Sequence, residues 1–373
     1  LGNLEEVKRI DSEKLFSYDN LSQKQKINSK LNLEESTAGK TLLESKPRRI
    51  VLELTNSCNL NCIMCGRNNA DFKPTFFNVN WLEKIRPFME TAEEITLMGW
   101  GEPTIHPQFD KFLEFASDYP VKKYILTNGV NLNNVSHWLL EYGTDILAFS
   151  LDGPDSRTND SIRIGSDFNE ITSNIRQFVI RRTFAPVKPY INTVSTLMKR
   201  NIRKFPEMII LAAELGIEEV KGVYLTAFSK ELEEEVLFNE PELVRSVFEE
   251  ARNLADKYNI TLSVPHIPGE DPAGNFPHKY CHLAWRDLFI GSDGYLRSCM
   301  SSENKFNHIL ESEPDPVKNI WNGEPLISFR KSVNGPAEGM TSACRRCYQS
   351  SCANWNKAYS FIQTDMEFHP DWS

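Results

Sequence analysis

Six short apolar runs, separated by segments of helical spacing, constrain what this chain can fold into. The first holds Ile50, Val51, Leu52 and Leu54, and others follow at Glu94 to Met98, Tyr124 to Leu126, Ile146 to Leu151, Tyr190 to Leu197 and Val220 to Leu225. Each is short enough for a buried strand. Between them apolar residues return at helical intervals, as in Phe205, Met208, Ile209, Ala212 and Leu215, and Gly216 then stands where a left-handed residue closes a helix. The stretch after Pro241 is the clearest helix, with Val244, Val247, Phe248, Ala251, Ala255 and Tyr258 on one face and Glu242, Arg245, Glu249, Glu250 and Lys257 elsewhere. Strands alternating with helices predict an α/β fold with a parallel sheet.

The 373 residues predict more than one domain at about 150 residues each. Residues 1–48 are rich in Lys, Glu, Ser and Asn without a sustained helical period, which predicts short helices or a partly mobile arm. The α/β unit is expected over 49–264, with acidic Glu231 to Glu235 as a solvated face or loop. Pro265, Pro268, Gly269, Pro272, Gly274 and Pro277 then break the pattern, so a second, small, metal-stapled domain is expected over 265–373. The longest unbroken apolar run, Met208 to Ala213, falls far short of the roughly 20 residues that span a bilayer. A net charge of −9 repels a phosphate backbone, and Lys46-Pro47-Arg48-Arg49 is too short a basic stretch to override it. Neither a membrane nor a nucleic-acid partner is expected. With no secretory signal in view, the expected compartment is the cytoplasm.

Eight cysteines fall into two groups: Cys58, Cys62 and Cys65, then Cys281, Cys299, Cys344, Cys347 and Cys352. Clustered thiols in a reducing compartment read as metal ligands. The first group forms CxxxCxxC in Thr55-Asn56-Ser57-Cys58-Asn59-Leu60-Asn61-Cys62-Ile63-Met64-Cys65, directly after the first expected strand. Parallel sheets place their chemistry at that end of the strands. Three thiolates from one loop hold three irons of a four-iron cluster and leave the fourth open to another ligand. A structural zinc needs four protein ligands, and the nearest histidine, His106, is distant. A generic metal loop is the alternative.

This loop resembles that of the radical S-adenosylmethionine (SAM) enzymes, whose hallmark is the same cysteine spacing with a bulky residue before the third cysteine, here Met64. The resemblance runs through ordered motifs over roughly residues 49 to 225. Gly99-Trp100-Gly101-Glu102-Pro103 is similar to the family's GGEP segment, with Trp100 breaking the commoner double glycine. It implies that the main chain around Gly101 and the Glu102 carboxylate bind the methionine ammonium. Glycine lets a backbone approach a ligand, and a carboxylate supplies a charge-assisted acceptor. Thr127-Asn128-Gly129 and Ser150-Leu151-Asp152-Gly153 follow the third and fourth strands, where Asn128, Ser150 and Asp152 suit ribose hydroxyls; without the family each reads as a turn or helix cap. Asn159-Asp160-Ser161-Ile162-Arg163 resembles the stretch that carries an arginine to the SAM carboxylate, with Ser195 as a second contact. On its own, Arg163 pairs equally well with Asp160 or Asp167 at the surface. The fold implied is a partial (β/α)6 barrel of TIM type, the radical SAM core, followed by a small iron–sulfur domain.

In the second group, Gly294-Tyr295-Leu296-Arg297-Ser298-Cys299 makes a turn and strand, and Cys344-Arg345-Arg346-Cys347 follows at a distance. Paired thiolates from distant segments meet the four-ligand demand of a closed cluster or of zinc. The layout resembles the SPASM and twitch extensions of radical SAM enzymes. A full SPASM domain has seven cysteines and five occur here, which favours the twitch form: one auxiliary [4Fe–4S] cluster on Cys281, Cys299, Cys344 and Cys347. His282 reads as a surface or outer-sphere residue, and Arg345 and Arg346 as charge-offsetting or solvated arginines. Cys352 is left over as a spare ligand, a buried thiol or a catalytic hydrogen-atom donor.

The resemblance implies an enzyme that reductively cleaves SAM, bound to a [4Fe–4S] cluster, to a 5′-deoxyadenosyl radical, which takes a hydrogen atom from a substrate. A peptide to be epimerised, crosslinked or oxidised is the first substrate class and a sugar or aminocyclitol the second. Residues 1–48 hold no segment long enough for a separate peptide-leader recognition domain, which counts against the first. The implied electron donor is a flavodoxin or ferredoxin. A non-catalytic iron–sulfur or zinc protein is the competing class, and it would not need the SAM-binding motifs.

Overall fold

The computed structural model of the chain describes residues 17–69, 73–268, 270, 281–300, 302, 304–335 and 339–345. Helix α1 (Gln23–Thr37) precedes β1 (Arg49–Leu52), α2 (Leu82–Met89), β2 (Glu94–Leu97), α3 (Phe109–Ser117), β3 (Lys122–Thr127), α4 (Leu132–Glu141) and β4 (Ile146–Ser150). Then come α5 (Ser156–Ile162), α6 (Phe168–Arg182), β5 (Tyr190–Leu197), α7 (Glu207–Leu215) and β6 (Glu219–Tyr224). The chain continues through α8 (Lys230–Glu233), α9 (Pro241–Tyr258), β7 (Thr261–Ser263), α10 (Leu283–Arg286), β8 (Asp287–Ile290), β9 (Leu296–Arg297) and α11 (Glu324–Ser332). All six expected apolar runs are strands.

The described strands form one sheet in the order β7-β6-β5-β4-β3-β2-β1-β8-β9. β1 to β6 lie side by side in chain order and parallel. Right-handed crossovers between strands laid down in that sequence put every helix on the same face, the (β/α)6 partial-barrel arrangement. Alternate residues then divide between two environments. Ile50, Leu52, Ile95, Leu97, Ile125, Leu147, Phe149, Ile191, Leu197 and Val220 join one apolar core with the helices. On the other face Tyr124, Ile146, Ala148 and Tyr190 form a smaller cluster.

The helix after Pro241 buries Val244, Val247, Phe248, Ala251 and Ala255 as its spacing predicts, and ends on Asn259 in a left-handed conformation. Gly216 closes α7 at φ 73°. Glu231 to Glu235 is not wholly a solvated loop: Leu232 of α8 is buried and Glu235 pairs with Arg200 at 2.6 Å.

The segments on either side of the core are tied to it by contacts that the sequence does not display. Within residues 1–48 the described part holds a single 3-10 turn at Tyr18–Asn20 and the 15-residue helix α1, which opens on a Ser22–Gln25 capping box. It shows no apolar stripe because the face it buries is polar: Gln25, Asn28, Ser29, Asn32 and Glu35. Gln25 donates to the carbonyls of Ala92 (2.6 Å) and Pro120 (2.7 Å), and Asn32 to that of Trp285 (2.7 Å). The segment after residue 264 is joined to the core sheet. β8 pairs parallel with β1, Arg49 opposite Asp287 and Leu52 opposite Ile290, so the C-terminal part extends the same sheet. No described helix is long and apolar enough to cross a membrane.

Candidate iron–sulfur and cofactor site

Strand β1 delivers the first cysteine loop at its C-terminal end, and the end of that strand is tied on both sides. Glu53 accepts from Trp100 N at 2.8 Å, from Ser292 N at 3.0 Å and from Ser292 Oγ at 2.8 Å. One carboxylate thus joins the loops after β1, β2 and β8. Sequence reasoning passed over Glu53; the signal was a charge inside the apolar run 50–54. The loop after β2 lies directly on the cysteine loop. A Cβ on Gly101 would sit 2.2 Å from the Thr55 carbonyl and 2.3 Å from that of Ser57, so only glycine fits, and Glu102 N donates to Ser57 O at 2.9 Å.

Glu102 is buried, and its carboxylate links neighbouring loops. It accepts from Thr104 N (3.1 Å), Thr104 Oγ1 (2.6 Å), Thr127 Oγ1 (2.7 Å) and Asn128 N (2.7 Å). Burial pushes its pKa up while these donors oppose the shift. Three of these donors converge on Oε1 and one, Asn128 N, reaches Oε2. Glu102 thus holds the loops after β2 and β3 together, while Oε2 keeps room for a further donor beside the main-chain groups near Gly101. Asn128, so positioned, turns its amide to Asn59 Oδ1 at 2.7 Å and to Cys58 Sγ at 3.7 Å.

Asp152 and Arg163 meet each other. Asp152 is fully buried; its Oδ2 lies 2.8 Å from Arg163 Nε and its Oδ1 accepts from Thr196 N at 2.6 Å. Arg163 pairs with neither Asp160 nor Asp167. Asp160 accepts from Ser166 Oγ (2.5 Å) and Phe168 N (3.2 Å), and Asp167 caps α6. Arg163 Nη1 instead reaches Cys62 Sγ at 3.9 Å. Ser195 donates to Leu151 O at 2.6 Å, bridging β4 and β5, and keeps its acceptor lone pairs. Ser150 stands half-buried at the end of β4. Met64 packs on an apolar cluster of Ile162, Met198, Leu225, Ala227 and Leu232, holding the third cysteine's flank.

Burial pushes the Cys62 thiol up to about 11, against the opposing pull of Arg163, and Cys62 feels the charges of Cys58 and Cys65. The Cys58 thiol is also raised by burial. Among the described residues no three His, Cys, Asp or Glu side chains converge to hold a single metal ion. A donor set of three soft thiols spread over one loop fits a polynuclear iron–sulfur cluster, where each thiolate takes a different iron.

In the C-terminal part, Cys281, Cys299 and Cys344 are half-buried, while Cys347, Cys352 and Arg346 lie outside the described residues. Cys281 N donates to Asn334 Oδ1 at 2.6 Å, and Thr341 Oγ1 donates to Cys344 Sγ at 3.2 Å. Arg345 is turned to the Met340 carbonyl at 2.6 Å. His282 is buried, which corrects the surface reading, and burial lowers its pKa to about 3. Gly294, at φ 79°, makes the expected turn between β8 and β9.

The Radical SAM superfamily model matches residues 52–183, and the SPASM model, an iron–sulfur cluster-binding domain, matches residues 281–348. The second match contains Cys281, Cys299, Cys344 and Cys347 and stops short of Cys352. The AdoMet-dependent heme synthase of Methanosarcina barkeri is 28% identical over 180 residues, covering 47% of this chain and 49% of its own. The sporulation killing factor maturation protein SkfB of Bacillus subtilis is 24% identical over 294 residues, covering 76% of this chain and 67% of its own. The crystal structure of Streptococcus suis SuiB bound to S-adenosylmethionine superposes with a TM-score of 0.62 at 16% identity, over 82% of this chain and 73% of that one. The chain spans about half the length of several of the curated relatives it matches. The two matched domains imply SAM and [4Fe–4S] clusters as cofactors. The chain therefore carries a Radical SAM superfamily domain over residues 52–183 and a C-terminal SPASM iron–sulfur domain over residues 281–348.

Proposed function

We propose that the chain is an enzyme that cleaves SAM reductively at a cluster held by Cys58, Cys62 and Cys65 and modifies a peptide. The observation that carries this reading is the convergence of the loops after β2 and β3 and of Arg163 on the cysteine loop: Gly101 on its main chain, Asn128 at Cys58, Arg163 at Cys62. When bound, the cluster and SAM supply a 5′-deoxyadenosyl radical able to take a hydrogen atom from a substrate. The chain's own residues do the rest. Gly101 opens main-chain groups to the amino acid end of SAM, Ser150 and Ser195 offer oxygens to its polar groups, and the buried loop walls exclude water. An auxiliary cluster on Cys281, Cys299, Cys344 and Cys347, in the domain proposed to begin near residue 265, completes the reading. Cys352 is proposed to lie outside both ligand sets.

A peptide substrate is supported by the likeness to SkfB, a maturation protein, and by SuiB, which has been crystallised with its precursor peptide SuiA. The electron would come from a flavodoxin or ferredoxin, and a reducing cytoplasm would keep the thiols as ligands. The test is anaerobic reconstitution followed by assay of 5′-deoxyadenosine. Replacing Cys58, Cys62 and Cys65 together by alanine is expected to abolish SAM cleavage while leaving roughly half the iron, the share of one of two four-iron clusters. Retained cleavage in that variant would overturn the site.

A further inference from the structure

Arg163 and Asp152 form a buried ion pair whose cation faces the cysteine loop. Arg163 presents different nitrogens to its two neighbours, Nη1 to Cys62 Sγ at 3.9 Å and Nε to Asp152 Oδ2 at 2.8 Å. The pair is built in place. Thr196 N holds Asp152 Oδ1 at 2.6 Å, Asn201 Nδ2 donates to the Asp152 carbonyl at 3.0 Å, and Asp152 N donates to Asn159 Oδ1 at 3.0 Å. The same Asn159 accepts Arg163 N at its carbonyl at 2.8 Å, so one residue fixes the backbone of both partners.

We propose that this pair sets the reduction potential of the cluster bound by Cys58, Cys62 and Cys65, with Arg163 raising it and Asp152 restraining that effect. The proposal rests on the reading that these thiolates hold a cluster. Reduction adds an electron to a centre already surrounded by thiolates. A fixed cation beside a ligand sulfur stabilises the reduced state, and an N–H directed at sulfur acts in the same sense. Out of water the neighbouring charges are poorly screened, so removing either member leaves the other's charge acting on the cluster. The prediction is therefore one of opposite signs, which general damage to the site would not produce.

The experiment uses the reconstituted full chain, with iron determined for each variant. The midpoint potential is measured without SAM, by redox titration of the electron paramagnetic resonance signal that separately changes when SAM is added. Asp152→Asn keeps the shape and the Thr196 contact; it is expected to raise the midpoint. Arg163→Met is expected to lower it, and Arg163→Lys, which keeps the charge, to stay nearer the parent than Arg163→Met does. Shifts of the same sign, or no shift at wild-type iron content, overturn the proposal. If Arg163→Met loads no iron, Asp152→Asn decides alone, and a potential that fails to rise overturns it. A parent protein without a SAM-responsive cluster overturns the functional reading as well, because the pair then has nothing to act on.

Discussion

At Glu102 one carboxylate gathers donors from Thr104, Thr127 and Asn128, and through Asn128 it reaches the Cys58 thiol. Its identity was legible in the Gly99–Pro103 motif, but its partners were not, since Thr127 and Asn128 come from the next strand along. Asp152 repeats the lesson: a carboxylate expected to face a ligand is used by Arg163 and Thr196. Glu102→Gln would turn an amide hydrogen toward a group that already donates, leaving a buried donor unpaired. A cost of about 1–3 kcal/mol is expected for such a loss. Denaturant unfolding should show a lower midpoint, and SAM binding should weaken at unchanged iron content. An unshifted midpoint would return Glu102 to the role of a free acceptor.

The turn from β2 into α3 is organised around His106. Its Nδ1 accepts from Gln108 N at 3.1 Å and its Nε2 lies 3.1 Å from the Phe77 carbonyl, an arrangement that fits a neutral ring with hydrogen on Nε2. Burial lowers its pKa below the ordinary 6.5. As the pH falls below that value the unfolded chain takes up the proton first, so this group's contribution to stability is lost on acidification and is whole above it. Thermal melts between pH 7 and 5 should show a decline that is shallower in His106→Gln; an identical slope in both would remove the histidine as its source. The same scale explains α1. A helix is legible from sequence when it buries an apolar stripe, as α9 does, whereas α1 docks by side-chain amides whose acceptors, at Ala92, Pro120 and Trp285, belong to distant segments.

Across the whole molecule the C-terminal part is bound into the core sheet. β8 lies along β1, and the half-buried Arg49 forms an ion pair with Asp287 on that seam and approaches Glu94 of β2 at 3.8 Å. A chain cut at residue 280 would expose β1 as an unpaired edge and leave Arg49 without Asp287. Unpaired strand edges template association. The full chain is expected to melt in one transition by circular dichroism and tryptophan fluorescence, and the shortened one to aggregate or lose its cooperative transition. A shortened chain that melts cooperatively near the parent's temperature would mark two independent units.

The order of strands and helices, the placing of the first cysteines after β1, and the glycine closures at Gly216 and Gly294 could all be derived from the amino-acid sequence. Each depends on periodicity or local backbone conformation, both carried by neighbouring residues. What tertiary structure alone decided was which groups meet. Glu53 bridging β1 to Ser292, Arg163 choosing Asp152 and Cys62 over the nearer Asp160 and Asp167, and β8 joining β1 all pair residues beyond the reach of local spacing. Burial decides such pairs. A charge removed from water must find its partner among whatever the fold brings within reach, and spacing along the chain does not encode that distance.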